Sequence, residues 1–508
     1  MRLRMRNMRT ISRPIAVVAA LLVCLSMAMV AQASGARAEK PPIFGAAVTL
    51  TDGHGHPGVG GEPSIAIDTT SKAGVNDEYI VSPNQHALWR SYDGGKTWSG
   101  PVVFDASGTA PGGDTDVAVS QQGHVIVDDL DVTHAWIQVS TDHGKSFNSG
   151  TATAFEDDRP WLATEGLNTV YVGYHDFVAE IPIICASTDG GQTFPFCSQT
   201  FSDPNAATQC AENTVPARPV IVDPKDGTVN FMYSCSTTAE NVNQPPYGPL
   251  HDYYLAKATP TLPSGLQYQT YPVFLADTSG GKAPDYANIF GTLAVDSAGN
   301  YYALLDGTAD HNNIGKNPYH VYLLTSTNHG KTWSKPKQVD HDKNGAGTHV
   351  LADLAVTRKG NVDVVWYGSK STGDPNGECG TVVSQSPCPK DPFAVTKSGT
   401  GPAWKVYMAQ TDEALSAHPQ WTQTVVNPKV THYGEICTNG IVCGSSDRSL
   451  LDFISVAVDC HGRAHVTYAS NPLEAKGQAA YLQVSNQRGG DPLSPPRSCA
   501  ALSSNGGT

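Results

Sequence analysis

Positive charge is scarce in this sequence. Lys and Arg total 33 against 47 Asp and Glu, giving a net charge of -14, and charged residues make up only 16% of the chain. Five of the arginines, Arg2, Arg4, Arg6, Arg9 and Arg13, fall in a stretch without acidic residues, so the remainder is five charges more negative still. Binding to nucleic acid or to anionic membrane surfaces rests on neutralising phosphates with Lys and Arg. So acidic a chain excludes both as general partners. Long apolar runs are also missing, since beyond residues 15–30 no segment approaches 18 consecutive apolar residues, and no integral membrane helix is expected. No C-x-x-C pair occurs, which disfavours a cysteine-held metal cluster. Helical periodicity is almost absent, which points to an all-β chain.

The arginine-rich start, the apolar run 15–30 and the small residues Ala31-Gln32-Ala33 form a secretory signal peptide over residues 1–33, so the protein is expected to be exported. Cys24 lies within the apolar run after Val23 and reads as part of it rather than as a lipid anchor. Ten cysteines then remain, an even number in an exported protein, which suggests up to five disulfides. Local spacing favours Cys185 with Cys197, Cys210 with Cys235, Cys379 with Cys388, Cys437 with Cys443, and Cys460 with Cys499.

One phrase returns four times: SYDGGKTW at 91–98, STDHGKSF at 140–147, STDGGQTF at 187–194 and STNHGKTW at 326–333. Each copy lies between apolar runs. Its glycines permit positive φ, its Asp or Asn can bond backbone amides, and its closing aromatic can enter a core, so each copy is a β-hairpin turn. The phrase resembles the Asp box of sialidases and other BNR-repeat β-propellers, where it is a structural turn and carries no chemistry.

A second repeat precedes the boxes, an apolar strand followed by a Gly-containing turn and another strand. It occurs seven times, beginning at Ile65, Val117, Leu162, Val220, Leu293, Leu354 and Val456. Together the repeats predict four-stranded units of about 60 residues, the size of a propeller blade. Blades four, six and seven lack the box, with Trp421 a remnant of it in blade six. The last blade runs out after three strands, and residues 43–50 belong to no other unit. We therefore expect a seven-bladed β-propeller over residues 41–490, its last blade closed by the N-terminal strand, with six blades as the alternative. A loosely ordered tail, 491–508, would follow, pinned by Cys460 and Cys499.

The connections that leave one face of such a ring are long: 198–217, 236–252, 306–319, 368–402 and 427–449. Long loops in a compact fold are the usual carriers of function. The residues that lead into the innermost strands on that face are Glu62, Asp114, Asp116, Asp158, Arg159, Arg218, His349, Asp353, Arg448 and Asp452. Converging guanidinium groups suit a carboxylate. The other reading pairs each Arg with a neighbouring Asp to lock a loop.

The sialidase resemblance implies a glycan ligand and an exo-sialidase-type hydrolysis. Arg159, Arg218 and Arg448 would clamp a sugar carboxylate, and Glu62, His349 and Asp452 would line the site. Tyr433 with Glu435 would supply the nucleophile, and Asp114 the acid/base. A non-catalytic scaffold binding extracellular glycan or protein uses the same loops without paired catalytic groups. No cofactor is required, but Asp340, Asp342 and Asn344 match the first half of a calcium loop, although Leu351 stands where its distal Glu belongs. His54 and His56 read as a flexible loop.

Overall fold

The computed structural model describes residues 40–495 apart from 70–75, 84–85, 105–112, 132–133, 156, 177, 180, 201–213, 236–250, 262–264, 278, 283, 287–289, 311–317, 343–346, 378–392, 397–398, 439, 441–446 and 474–477. The described residues from Pro41 onward form one compact unit. Much of the long-loop face, the leader 1–33, Asn344, and Cys210, Cys379, Cys388, Cys443 and Cys499 therefore lie outside the described residues.

Seven antiparallel sheets follow one another around a ring. Blade one runs outward as Ser64–Asp68, Asp77–Ser82, Ala87–Ser91 and Ser99–Val103. We call these positions A to D. Blades two, three and five repeat the pattern from Val117–Val119, Asp157–Glu165 and Thr292–Val295. Strand A of blade four is broken into Thr214–Pro216 and Ile221–Val222, both paired with Val229–Cys235. Blade six opens with Thr348–Val356, and blade seven comprises Ser455–Val458, Ala464–Ser470 and Tyr481–Gly489.

The N-terminal segment closes blade seven. It does so in two short pieces rather than one strand: Ile43–Phe44 pairs near Gly489, and Val48–Thr49 pairs with Val484 and Gln483. The first residues of the tail are docked, not loose. Leu493 is buried, its N–H bonds the Gly462 carbonyl at 2.9 Å, and Arg358 Nε bonds the Pro495 carbonyl at 2.7 Å.

The first three Asp boxes fold by the same bonds, and in the fourth Asn328 Nδ2 donates to Thr332 Oγ1 instead. In the first, the amides of Lys96 and Thr97 donate to Asp93 Oδ1 at 3.0 and 2.9 Å, Thr97 Oγ1 donates to Asp93 Oδ2 at 2.6 Å, and the Gly95 amide donates to Ser91 Oγ at 2.9 Å. The turn's own chain thus satisfies the carboxylate, and the box aromatic is free to point inward. Every described box aromatic enters the core between its own blade and the preceding one. Trp98 packs with Trp89, Leu482 and Val484; Phe147 with Tyr79 and Leu88; Phe194 with Ile137 and Val172; Trp333 with Leu255 and Tyr301. Trp421 does the same between blades five and six, so it is the box aromatic without the box.

Among the described residues, seven apolar clusters fill the seven blade interfaces, and no layer exists apart from them. A disulfide joins Cys185 to Cys197, which face each other across strands C and D of blade three. Cys235, Cys437 and Cys460 are also disulfide-bonded, with partners outside the described residues. No helix among the described residues is long and apolar enough to cross a membrane.

At the ring's seam, Gly95 has φ 67° and a Cβ there would lie 2.1 Å from Asn486 Nδ2. Gly94 has φ 72° and nothing within 4 Å. Gly95→Ala is expected to lower stability in urea by about 2–4 kcal/mol, and Gly94→Ala by about 1 kcal/mol. Equal losses would show that the contact with blade seven adds nothing.

Candidate functional site

The channel mouth on the long-loop face is built from the residues that turn into each strand A. Glu62 and Leu451 precede the innermost strands of blades one and seven with φ of 47° and 59°, and Arg159 and Leu351 sit at bulges within Asp157–Glu165 and Thr348–Val356 with φ of 63° and 55°. Positive φ is costly for such side chains, and proline further restricts the residue before it, as in Glu62-Pro63 and Arg159-Pro160. Backbone held this way needs surrounding structure to fix it, and such positions collect at functional sites.

Two groups of side chains fill the mouth. The first is a hub on the axis. Arg218, buried, donates from Nη1 to the Ile454 carbonyl at 2.8 Å and from Nη2 to Ser455 Oγ at 3.2 Å, which carries it from blade four to blade seven. Its charge lies 3.9 Å from Asp353 Oδ2. Burial pushes the carboxyls of Asp353 and Asp116 up, and the Arg218 guanidinium pulls both back. These two carboxylates also stitch blades together. Asp116 accepts the Leu162 amide at 3.0 Å and the Ser64 hydroxyl at 2.5 Å, and Asp353 accepts the Val456 amide at 2.9 Å. Trp161, Phe290 and Phe453 meet edge to face with centroids 5.3–6.2 Å apart, and Arg218 lies over two of these rings, Trp161 and Phe453. The axis is therefore closed at this level by aromatic rings and one guanidinium.

The second group lies beside the hub. Arg159 stacks on Phe290 at 4.3 Å and reaches Asp158 at 3.4 Å and Asp452 at 3.6 Å. Arg448 Nη2 bonds the same oxygen of Asp452. The Asp452 amide donates to Glu62 Oε1 at 2.9 Å, and the Glu62 and Asp114 carboxyls hydrogen-bond to each other. Burial, then the charges of Asp114 and Asp452, push Glu62 well above the carboxylate range. Burial and then Asp158 push Asp114 up to about 6, against the pull of Arg159. Two neighbouring buried carboxyls resist ionising together. Solvent reaches the group through Asp158, 42% exposed, and Arg448, 29% exposed. Arg448 Nε and Asp452 Oδ1 are buried without a hydrogen-bond partner among the described residues.

The structure thus brings together Glu62, Asp114, Arg159, Arg448 and Asp452, and places Arg218 apart in the hub. Tyr433 belongs to the short strand His432–Tyr433 paired with Ala403 and Trp404 at the outset of blade six's strand C, and the Glu435 carbonyl faces His432 Nε2 at 2.7 Å. His349 is turned from the axis: Trp366 Nε1 donates to its Nδ1 at 2.9 Å, which leaves the proton of the neutral ring on Nε2, facing Asp342 at 3.0 Å and Asp340 at 3.5 Å. Asp340 also faces His320 Nδ1 at 2.7 Å. The hub aromatics were not singled out from the sequence. They share no sequence signal: Trp161 follows Arg159-Pro160, whereas Phe290 and Phe453 stand in the unlike stretches ANIFG and LLDFI.

No protein-family model and no curated protein matches the chain. It is similar in structure to a polysaccharide lyase, a PL25 ulvan lyase, with TM-score 0.47 and 11% identity over 86% of this chain and 95% of that one. It is also similar to an α-L-arabinanase of Penicillium chrysogenum complexed with arabinobiose, with TM-score 0.38 and 12% identity over 64% of this chain and 94% of that one. An α-L-arabinofuranosidase of Fusarium graminearum gives TM-score 0.33 and 13% identity over 63% and 89%. Likeness at this level carries no argument about chemistry, which rests on the residues above.

Two outcomes follow from this geometry. Arg218→Met leaves two buried carboxylates without their cation and is expected to cost about 3–5 kcal/mol in urea unfolding. Adding Asp116→Asn and Asp353→Asn is expected to recover part of that loss, and full additivity of the losses would refute the shared hub. Asp114 titrates higher folded than unfolded, so the folded state holds the extra proton and stability falls as pH rises from about 4 through 6. Asp114→Asn should therefore gain on the wild type by about 1–3 kcal/mol between pH 4 and pH 7. A pH-independent difference would show that its surroundings do not raise the Asp114 carboxyl.

Proposed function

We propose that the protein engages a glycan at this mouth and hydrolyses a glycosidic bond there. The observation that supports the reading is the pair of buried carboxyls Glu62 and Asp114, set beside Arg448 Nε and Asp452 Oδ1, which have no hydrogen-bond partner among the described residues. A carboxyl ionising near 6 is suited to giving a proton to a leaving oxygen near neutral pH and taking one back. Asp114 is the acid/base in this reading and Glu62 the partner that raises it. Asp158, exposed and paired with Arg159, is the second carboxylate, which attacks the anomeric carbon or activates a water. Arg448 and Asp452 bind hydroxyls or an acidic group of the sugar.

The exo-sialidase form is the most concrete version. Arg159 and Arg448 would exchange Asp452 for the sugar carboxylate, Arg218 would act on the substrate only through the hub, and Tyr433 with Glu435 would come from the adjoining loop. The disulfides are consistent with an oxidising compartment, as for an exported protein acting on extracellular glycan. A binding scaffold is the second reading, favoured by one observation: both Arg159 and Arg448 already have Asp452 as partner.

The test is turnover of a panel of fluorogenic glycosides, a sialoside among them, together with a glycan array. Asp114→Asn is expected to cut kcat at least 100-fold while array binding persists, and wild-type activity should fall as pH rises above about 6. Sialoside turnover lost in both Arg159→Ala and Arg448→Ala would support the sialidase form. No turnover on any glycoside, with array binding lost in Arg448→Ala, would replace the enzyme by the scaffold.

A further inference from the structure

Blade six has no Asp box, and the connection that replaces it leans on its neighbour. Residues 412–421 join strand C, Ala403–Thr411, to strand D, Thr422–Val425. Leu415 and Trp421 turn into the interface with blade five. The Glu413 carboxylate stays within the connection and accepts the Gln420 amide at 2.8 Å. The carbonyls of Ala414 and Ser416 are bonded from outside: Lys337 Nζ, on blade five, donates to them at 3.2 and 2.6 Å. A box folds on its own Asp or Asn, whereas this connection is held by an ammonium of the preceding blade.

Between that connection and the outer strand of blade five, Lys337–Gln338, lies a recess of about 520 Å³. Lys335, Pro336 and Lys337 line one wall and His418 and Pro419 the other, and among the described residues no Asp or Glu lines it. Such a lining stands out in a chain with 47 acidic and 33 basic residues. Lys335 is exposed and Lys337 half-buried. The two carbonyls take two of the three donors of the Lys337 ammonium, which leaves one. Burial pulls its ionisation down, and no carboxylate among the described residues answers its charge. Lys335 adds a second ammonium to the same wall, two residues away.

We infer that this recess binds an acidic oligosaccharide, with a carboxylate or sulfate of the sugar held by Lys335 and Lys337 and its rings against Pro336 and Pro419. The volume falls within the range of about 300–1,000 Å³ that suits an organic ligand rather than a lone ion. Proline rings give rigid apolar walls, which match the C–H faces of a sugar. A peptide fits less well. The outer strand of blade five is the edge of its sheet, but it is two residues long, too short to receive a peptide as an added strand. Strand A begins at the channel mouth and successive strands alternate in direction, so connections from strand C to strand D lie on the opposite face. The recess is therefore separate from Glu62 and Asp114, and it holds its ligand whether or not the mouth is catalytic.

The test titrates the full-length protein by calorimetry with a hexamer of galacturonate, a sulfated oligosaccharide free of uronate, neutral maltohexaose and hexaglutamate. The expected result is binding of at least one of the two acidic sugars, weakened by added salt, and none of maltohexaose. The better of the two identifies the group held, carboxylate or sulfate. Lys335→Gln, at an exposed side chain that leaves folding intact, should weaken that binding at least about tenfold, the loss of one charge-assisted hydrogen bond. Arg448→Ala, at the mouth, should leave it unchanged, which keeps this site distinct from the one proposed above. Failure of the wild type to bind either acidic sugar, binding unaltered by Lys335→Gln, binding lost in Arg448→Ala, or tighter binding of hexaglutamate would each overturn the assignment.

Discussion

A single buried guanidinium sets the terms for the centre of this ring. Arg218 leaves blade four, bonds the backbone of blade seven, and balances carboxylates from blades two and six. Those carboxylates hold the amides of the following blades' first strands. A buried charge of this kind is tolerable only when its hydrogen bonds and counter-charges are all in place. The innermost strands therefore cannot shift independently, and the corners that carry Glu62 and Arg159 keep their strained backbone. The site takes its rigidity from the hub, which it meets at Phe290, the ring on which Arg159 stacks.

The outer part of each blade solves a different problem. A four-stranded blade has two apolar faces and no core of its own, so every blade must bury side chains against both neighbours. The box aromatics do this on one face, which explains why Trp421 keeps its place in blade six where the turn's polar residues have been lost. Local hydrogen bonds fold the turn, and the aromatic then makes the contact that joins blades.

Most of the architecture was legible from the chain because its causes are local and repeated. The boxes, the seven inner strands, the closure by residues 43–50 and the Cys185–Cys197 bridge all follow from patterns within one blade. The site was only partly legible. Glu62, Asp114, Arg159, Arg448 and Asp452 were identifiable as residues leading into inner strands. Which of them meet depends on closure of the ring, since Asp452 bonds Glu62 across a separation of 390 residues. Arg218 looks like Arg159 in sequence, each followed by Pro, yet one lies in the hub and the other in the recess. The split of strand A in blade four is what separates them, and short apolar runs do not announce such a break.

The way the ring is sealed bears on how the protein is made. The two pieces that complete blade seven, Ile43–Phe44 and Val48–Thr49, are synthesised before blade one, and their partner Tyr481–Gly489 only after blades one to six. Until then the first blade has no neighbour on one side, and Trp98 has no Leu482 or Val484 to cover it. The nascent chain must carry an open apolar flank until all the intervening blades have been made. Sealing the ring is therefore one late, collective step rather than an accumulation of finished blades.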